Sequence, residues 1–233
     1  MAAEMGEGDW GSARRFAPVT RETLQSKVYD ELKRGLMAGA FHPGEAVTLR
    51  RLAEMFGTSI MPVREAVNRL IAEGALRSEP NRSVIVPLMH RSRFMDLTDI
   101  RVALETIVTQ KACEQMTAAD LAELEVINDQ LLNAILARDL ETVVSLNRDF
   151  HFHIYRTARS DVLTQFVESL WMQVGPFLYV SAARPEAGWT TEAHKRFMRA
   201  ARDRDVDAAV DAIRSDIRET ANALLTSNLF YAT

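Results

Sequence analysis

Apolar residues at helical spacing dominate this chain, interrupted once by a short stretch of strand-like alternation. Val28, Leu32 and Leu36 recur every four residues and Gly39 follows them, which predicts a helix over 22–38. Pro43-Gly44 marks a turn. Leu52, Ala53 and Phe56, then Val63, Ala66, Val67 and Leu70, form two apolar faces on either side of Gly57. They predict helices over 49–56 and 61–73 with a sharp turn between them, Pro62 falling harmlessly in the first turn of the second. Residues 75–78 and 84–87 read as two short strands around the basic loop Glu79-Pro80-Asn81-Arg82-Ser83. Beyond residue 91 only the helical period survives, over 92–115, 118–138, 140–157, 161–181, 191–202 and 206–227. Thr117 and Asp120 have capping-box spacing, Ser160 is a cap, and Pro176 should kink or split its helix. Short connections between long amphipathic helices imply an antiparallel bundle. The predicted fold is therefore mainly α: a disordered leader over 1–20, a winged helix-turn-helix over 21–88, and an all-α antiparallel helix bundle over 92–227.

Composition narrows the function classes. An apolar fraction of 47% supports real cores. No run of 18 apolar residues and no apolar N-terminal stretch appears, so neither a membrane span nor a secretory signal is expected. The single cysteine, Cys113, excludes an internal disulfide, fits a reducing cytoplasm and reads as a small core residue. The net charge of −4 looks wrong for a nucleic-acid binder until it is divided. Residues 21–90 carry ten Lys/Arg against eight Asp/Glu, whereas residues 91–233 carry sixteen against twenty-one. The basic share sits with the winged helix, as a phosphate-binding face requires.

The second helix of the hairpin turns Met61, Arg64, Glu65 and Asn68 outward. Arginine and asparagine are side chains that reach guanine and adenine edges, or phosphates, from a helix in the major groove. Arg50 and Arg51 open the preceding helix, where they can hold the DNA backbone, and Arg82 tips the wing. The segment LRRLAEMFGTSIMPVREAVNRLIAEGAL, followed by PNRSVIV, resembles the DNA-binding domain of the GntR family of bacterial transcriptional regulators. That resemblance implies DNA contacts from Arg50 and Arg64. Ile60 and Met61 stand where the family usually has an Arg and a Thr or Ser, and Ser83 replaces the wing-tip Gly.

In LETVVSLNRDFHFHIYRT, Asn147 and His151 are four apart and share a face with Phe150 and Ile154, while His153 cannot. His194 and Asp216 lie on two later helices. Convergence of the four on one divalent ion inside a bundle is chemically sound, although only the Asn147/His151 pair is a local motif, and polar residues beside a core are the plainer account of each. The same segments resemble the all-helical FCD effector domain of the FadR-type branch of the family. This implies a metal site at Asn147, His151 and His194, with Asp216 where a further histidine is often found, suited to Zn, Mn or Ni. Arg101 matches a family arginine that faces the effector cavity, so it is expected either to clamp a small organic acid or to form a surface ion pair with Asp96, Asp99 or Glu105. Tyr155, Arg156, Trp171 and Met172 are expected around the same cavity, with core packing the plainer account of Trp171.

The expected function is a ligand-responsive, DNA-binding transcriptional regulator, a cytoplasmic homodimer and repressor on a palindromic operator, modulated by a small organic acid through a divalent metal. The alternatives are a metal-dependent enzyme built on the helical-domain cluster, and a winged helix that binds protein. The chain has no H-E-x-x-H, G-x-S-x-G or phosphate-cradling glycine loop to favour the enzyme.

Overall fold

The computed structural model describes residues 24–80, 83–184, 189–226 and 230. The proposed leader over 1–20 and the wing-tip Arg82 lie outside the described residues. The N-terminal part comprises α1 (Leu24–Met37), β1 (Ala46–Thr48), α2 (Leu49–Met55), α3 (Ile60–Ala72), β2 (Arg77–Glu79) and β3 (Ser83–Ile85). The sheet has the order β1-β3-β2 and is antiparallel throughout, with Val47 opposite Val84 and Arg77 opposite Ile85. One strand was not expected: the FHPGEAV segment read as a turn, yet its last residues form β1. Three residues with an exposed, half-buried, exposed pattern are too short for alternation to be visible in sequence.

Thr48 caps α2 by accepting from Arg51 N–H, and Gly57 takes a positive φ of 59° at the turn into α3. The inward faces close on each other as the periodicity requires. Leu52, Ala53, Val63, Ala66, Val67 and Leu70 are buried, together with Leu32 and Leu36 from α1.

The helical part comprises α4 (Arg91–Gln115), α5 (Ala118–Ala137), α6 (Leu140–Thr157), α7 (Asp161–Ala182), α8 (Glu192–Arg202) and α9 (Val206–Leu225). The capping box at Thr117 and Asp120 is present, and Asp139, Ser160 and Asp205 cap α6, α7 and α9. Of the kink or split expected at Pro176, the split does not occur: α7 runs through it as one helix. One missing N–H is outweighed by the burial of Val174, Phe177 and Leu178 around it. Cys113 is a buried free thiol, pushed by burial up to about 11, in keeping with a packing role. Among the described residues no helix is long and apolar enough to cross a membrane.

Candidate functional site

The winged helix presents its candidate residues outward. Arg50, Arg51, Met61, Arg64, Glu65 and Asn68 are all exposed. Arg51 makes a long 3.9 Å contact with Glu54 in open solvent, which is too weak to withdraw it from a phosphate. The guanidinium of Arg64 reaches back to the Met61 sulfur at 4.0 Å, so the two cover adjoining parts of one stripe. Arg69 is taken out of that face, because its Nε donates to Glu73 and its guanidinium lies 3.7 Å from the Tyr29 ring centre.

In the bundle, three of the four candidate metal ligands converge. One nitrogen each of His151 and His194 and one carboxylate oxygen of Asp216 all lie within 4.8 Å of one another. These residues come from α6, α8 and α9, so only the folded bundle assembles them. Asn147, one turn before His151, is buried and lines a small polar cavity of about 80 Å³ with Asp216, Ser181, Trp189, Thr190 and Glu219. Ser181, Trp189, Thr190 and Glu219 were missed from sequence, and only Glu219, three residues after Asp216, carried any positional hint. A larger cavity of about 350 Å³ shares Trp189 and is lined by Ile135, Leu140, Val143, Arg138 and Arg184. His153 faces the other way, toward Asp120 and Glu123 of α5.

Arg101 takes one of the partners expected of it, Glu105, but in the interior rather than on the surface, and Tyr155 is not on a cavity wall. Arg101 is 6% exposed, neither on the surface nor open to a ligand: its Nε and Nη2 donate to Glu105 at 2.6 and 3.3 Å. Its guanidinium also lies 4.8 Å from the centre of the Trp171 ring. Tyr155 is fully buried and donates to Glu105, so it belongs to a hydrogen-bond chain and lines none of the cavities above. Trp171 and Met172 are core, and Arg156 is exposed away from the cluster.

That chain sets the chemistry of His151. The Tyr155 hydroxyl has one proton, which goes to Glu105, so its oxygen accepts from His151 Nδ1–H at 3.0 Å. A neutral His151 then carries its lone pair on Nε2, which faces the Asp216 carboxylate oxygen at 3.1 Å. A lone pair against a carboxylate requires a proton or a cation between them. His194 is buried and its Nδ1 has no hydrogen-bond partner. Burial pushes its imidazole down to about 3, so it is neutral and available as a ligand. Burial opposes the charge of Asp216, but a proton on His151 Nε2, where that nitrogen carries one, together with the nearby His194 and Arg101, holds its carboxyl below the usual carboxylate range. The other ring nitrogen of His151 is held by the Tyr155 hydroxyl, itself anchored on Glu105, and a hydrogen bond at that nitrogen is what orients metal-binding histidines. The residues present fit a divalent ion.

Comparison with known proteins agrees with both halves. Residues 24–86 match the bacterial regulatory proteins, gntR family, and residues 96–219 match the FCD domain. The chain is 35% identical to the HTH-type transcriptional regulator McbR of Escherichia coli K12 over 157 residues, covering 67% of this chain and 71% of that one. It is 24% identical to the HTH-type transcriptional repressor RspR of the same organism, over 87% of this chain and 90% of that one. The solved structure of E. coli McbR/YncC superposes with a TM-score of 0.80 at 29% identity, covering 88% of this chain and 98% of the other. A putative GntR regulator from Rhodococcus sp. RHA1 shares the fold at 19% identity with a TM-score of 0.70, over 87% and 98% of the two chains.

Proposed function

This chain belongs to the GntR family of bacterial transcriptional regulators and carries an FCD domain, and we propose that it is a cytoplasmic homodimer that represses from a palindromic operator and responds to a small ligand. The observation that carries DNA binding is the two-sidedness of α3. Val63, Ala66, Val67 and Leu70 seal it to the domain, while Met61, Arg64 and Asn68 stand free on the opposite side. Exposed apolar residues on α4, Met95, Ile100 and Ile107, supply a surface that a second copy would cover. The named relatives are regulators, so the metal cluster is read as a sensor rather than a catalytic centre.

Arg64→Ala should weaken retention of the operator about 10- to 100-fold in a gel shift, with the circular dichroism spectrum unchanged. Binding by the wild type should fall steeply with salt. Weak, salt-independent retention would instead favour a winged helix that binds protein.

We further propose that His151, His194, Asp216 and Asn147 hold a divalent ion of the Zn, Mn or Ni class. The ion would supply positive charge in a cavity whose own groups, Asp216 and Glu219, are acidic. That charge is what would let a small organic acid bind there, since Arg101 is already engaged by Glu105. A thermal-shift series tests this. Zn, Mn or Ni at 100 times its dissociation constant should stabilise the protein by about 2.7 kcal/mol. Citrate should add to that shift only when metal is present. In His151→Ala the metal shift should vanish, and an unchanged shift would remove these ligands from the assignment.

A further inference from the structure

We infer that Met61 and Ile60 read the methyl groups of thymines, so that the operator carries thymine opposite the first turn of α3. The inference rests on the DNA-binding role of the winged helix and goes beyond it to the bases chosen.

The first observation is exposure without a packing role. The inward face of α3 is complete without these two residues, Val63 and Leu70 being fully buried, whereas Met61 is 55% exposed and Ile60 36%. Met55, at the end of α2 just before the turn, is 62% exposed. Scattered exposed apolar residues are ordinary on any surface. These are not scattered, since they flank the tip of one hairpin.

The second observation is what they are interleaved with. Met61, Arg64 and Asn68 fall at i, i+3 and i+7, one stripe along α3, with Ile60 at its edge beside Arg64. The Arg64 guanidinium rests against the Met61 sulfur. A helix that reads bases presents such a mixture, and its N-terminal residues are the ones at base edges.

The chemistry of the groove then selects the base. In the major groove guanine shows acceptors, cytosine a donor and adenine one of each, and only thymine shows an apolar group, its C5-methyl. Ile60 or Met61 pressed on a polar edge would strip its water without replacing the hydrogen bond, which is unfavourable. Pressed on a methyl, the same side chain removes apolar surface from water on both sides. Attraction to thymine and exclusion of the other bases therefore act together.

The test uses the full-length protein and a pool of randomised duplexes. Selection should enrich a palindrome with thymine in each half-site. Resynthesis of that duplex with deoxyuridine for each thymine in turn removes only the methyl. At one or two positions per half-site it should weaken binding about fourfold per methyl. In the surface double variant Ile60→Ser, Met61→Ser the thymine and uracil duplexes should bind alike, with the salt dependence of the wild type retained. Tight, salt-dependent binding indifferent to uracil, or an undiminished thymine preference in the variant, would overturn the inference while leaving DNA binding intact. Failure to enrich or retain any duplex would overturn both.

Discussion

Glu105→Ala should cost about 3–5 kcal/mol of stability in urea unfolding, the largest loss expected from any single side chain in the bundle. Glu105 is fully buried and accepts from Arg101 on its own helix and from Tyr155 on α6. Burial works against the charge of Arg101, and the Glu105 carboxylate more than restores it, holding the guanidinium above its usual range. Burial and then Glu105 push the Tyr155 hydroxyl well above its usual range, which keeps it a proton donor. Truncating Glu105 leaves a buried cation without its partner and a buried hydroxyl without its acceptor. The combined variant Arg101→Met, Glu105→Leu, Tyr155→Phe should regain much of the loss, since well-packed apolar groups can replace a buried ionic network. If Glu105→Ala unfolds at the wild-type midpoint with the same m-value, the network contributes little to stability. Because Tyr155 also orients His151, Glu105→Gln should reduce affinity for the proposed ion about 10- to 100-fold, by loosening the hydroxyl that accepts from His151 Nδ1–H.

This network shows where sequence reasoning stopped. The helices were legible because apolar spacing and caps act locally: α6 falls at residues 140–157 as expected, and Thr117 and Asp120 form their capping box. The hairpin of α2 and α3 was equally legible, because Gly57 and the two apolar faces sit within 25 residues of each other. The pairing of Arg101 with Glu105 was visible as an i, i+4 possibility, but burial was not, since it depends on α6, α7 and α9 closing over α4. A charged pair flanked by Val102, Val108 and Ala112 was the available signal. His194 and Asp216 carry no local pattern linking them to His151; resemblance brought them together on paper, and the bundle brings them within 4.8 Å. The polar cavity depends on Trp189 and Thr190, just before α8, and on the indole donating to Ser181 at 3.1 Å. No periodicity encodes such a contact.

Gly175→Ala should lower the melting temperature by about 5–10 °C and resolve calorimetric unfolding into two transitions. Gly175 lies on α7 one turn beyond Trp171, where the end of α1 crosses it. A Cβ at Gly175 would sit 2.4 Å from Leu36 O, 2.7 Å from Met37 Cα and 2.9 Å from Met37 C. All three are backbone atoms, so no rotamer change relieves the overlap and the two helices must part. Gly39 makes the reverse contact, its φ of 72° bringing it beside Tyr179 and the Gly175 carbonyl. Lys33 to Glu168 at 3.0 Å and Arg93 to Gln173 at 2.8 Å tie the same faces of α1, α4 and α7. Separating α1 from α7 opens the buried core that runs between the winged helix and the bundle, while the inward faces of α2 and α3 stay closed on each other. DNA retention should therefore survive in Gly175→Ala. Gly57→Ala is the matched control: its φ of 59° is also unfavourable for alanine, but nothing lies within 4 Å of the added carbon. It should cost only about 1–2 kcal/mol, confined to the winged helix. A single sharp transition at the wild-type temperature in Gly175→Ala would show that the α1–α7 contact yields freely and does not hold the winged helix to the bundle.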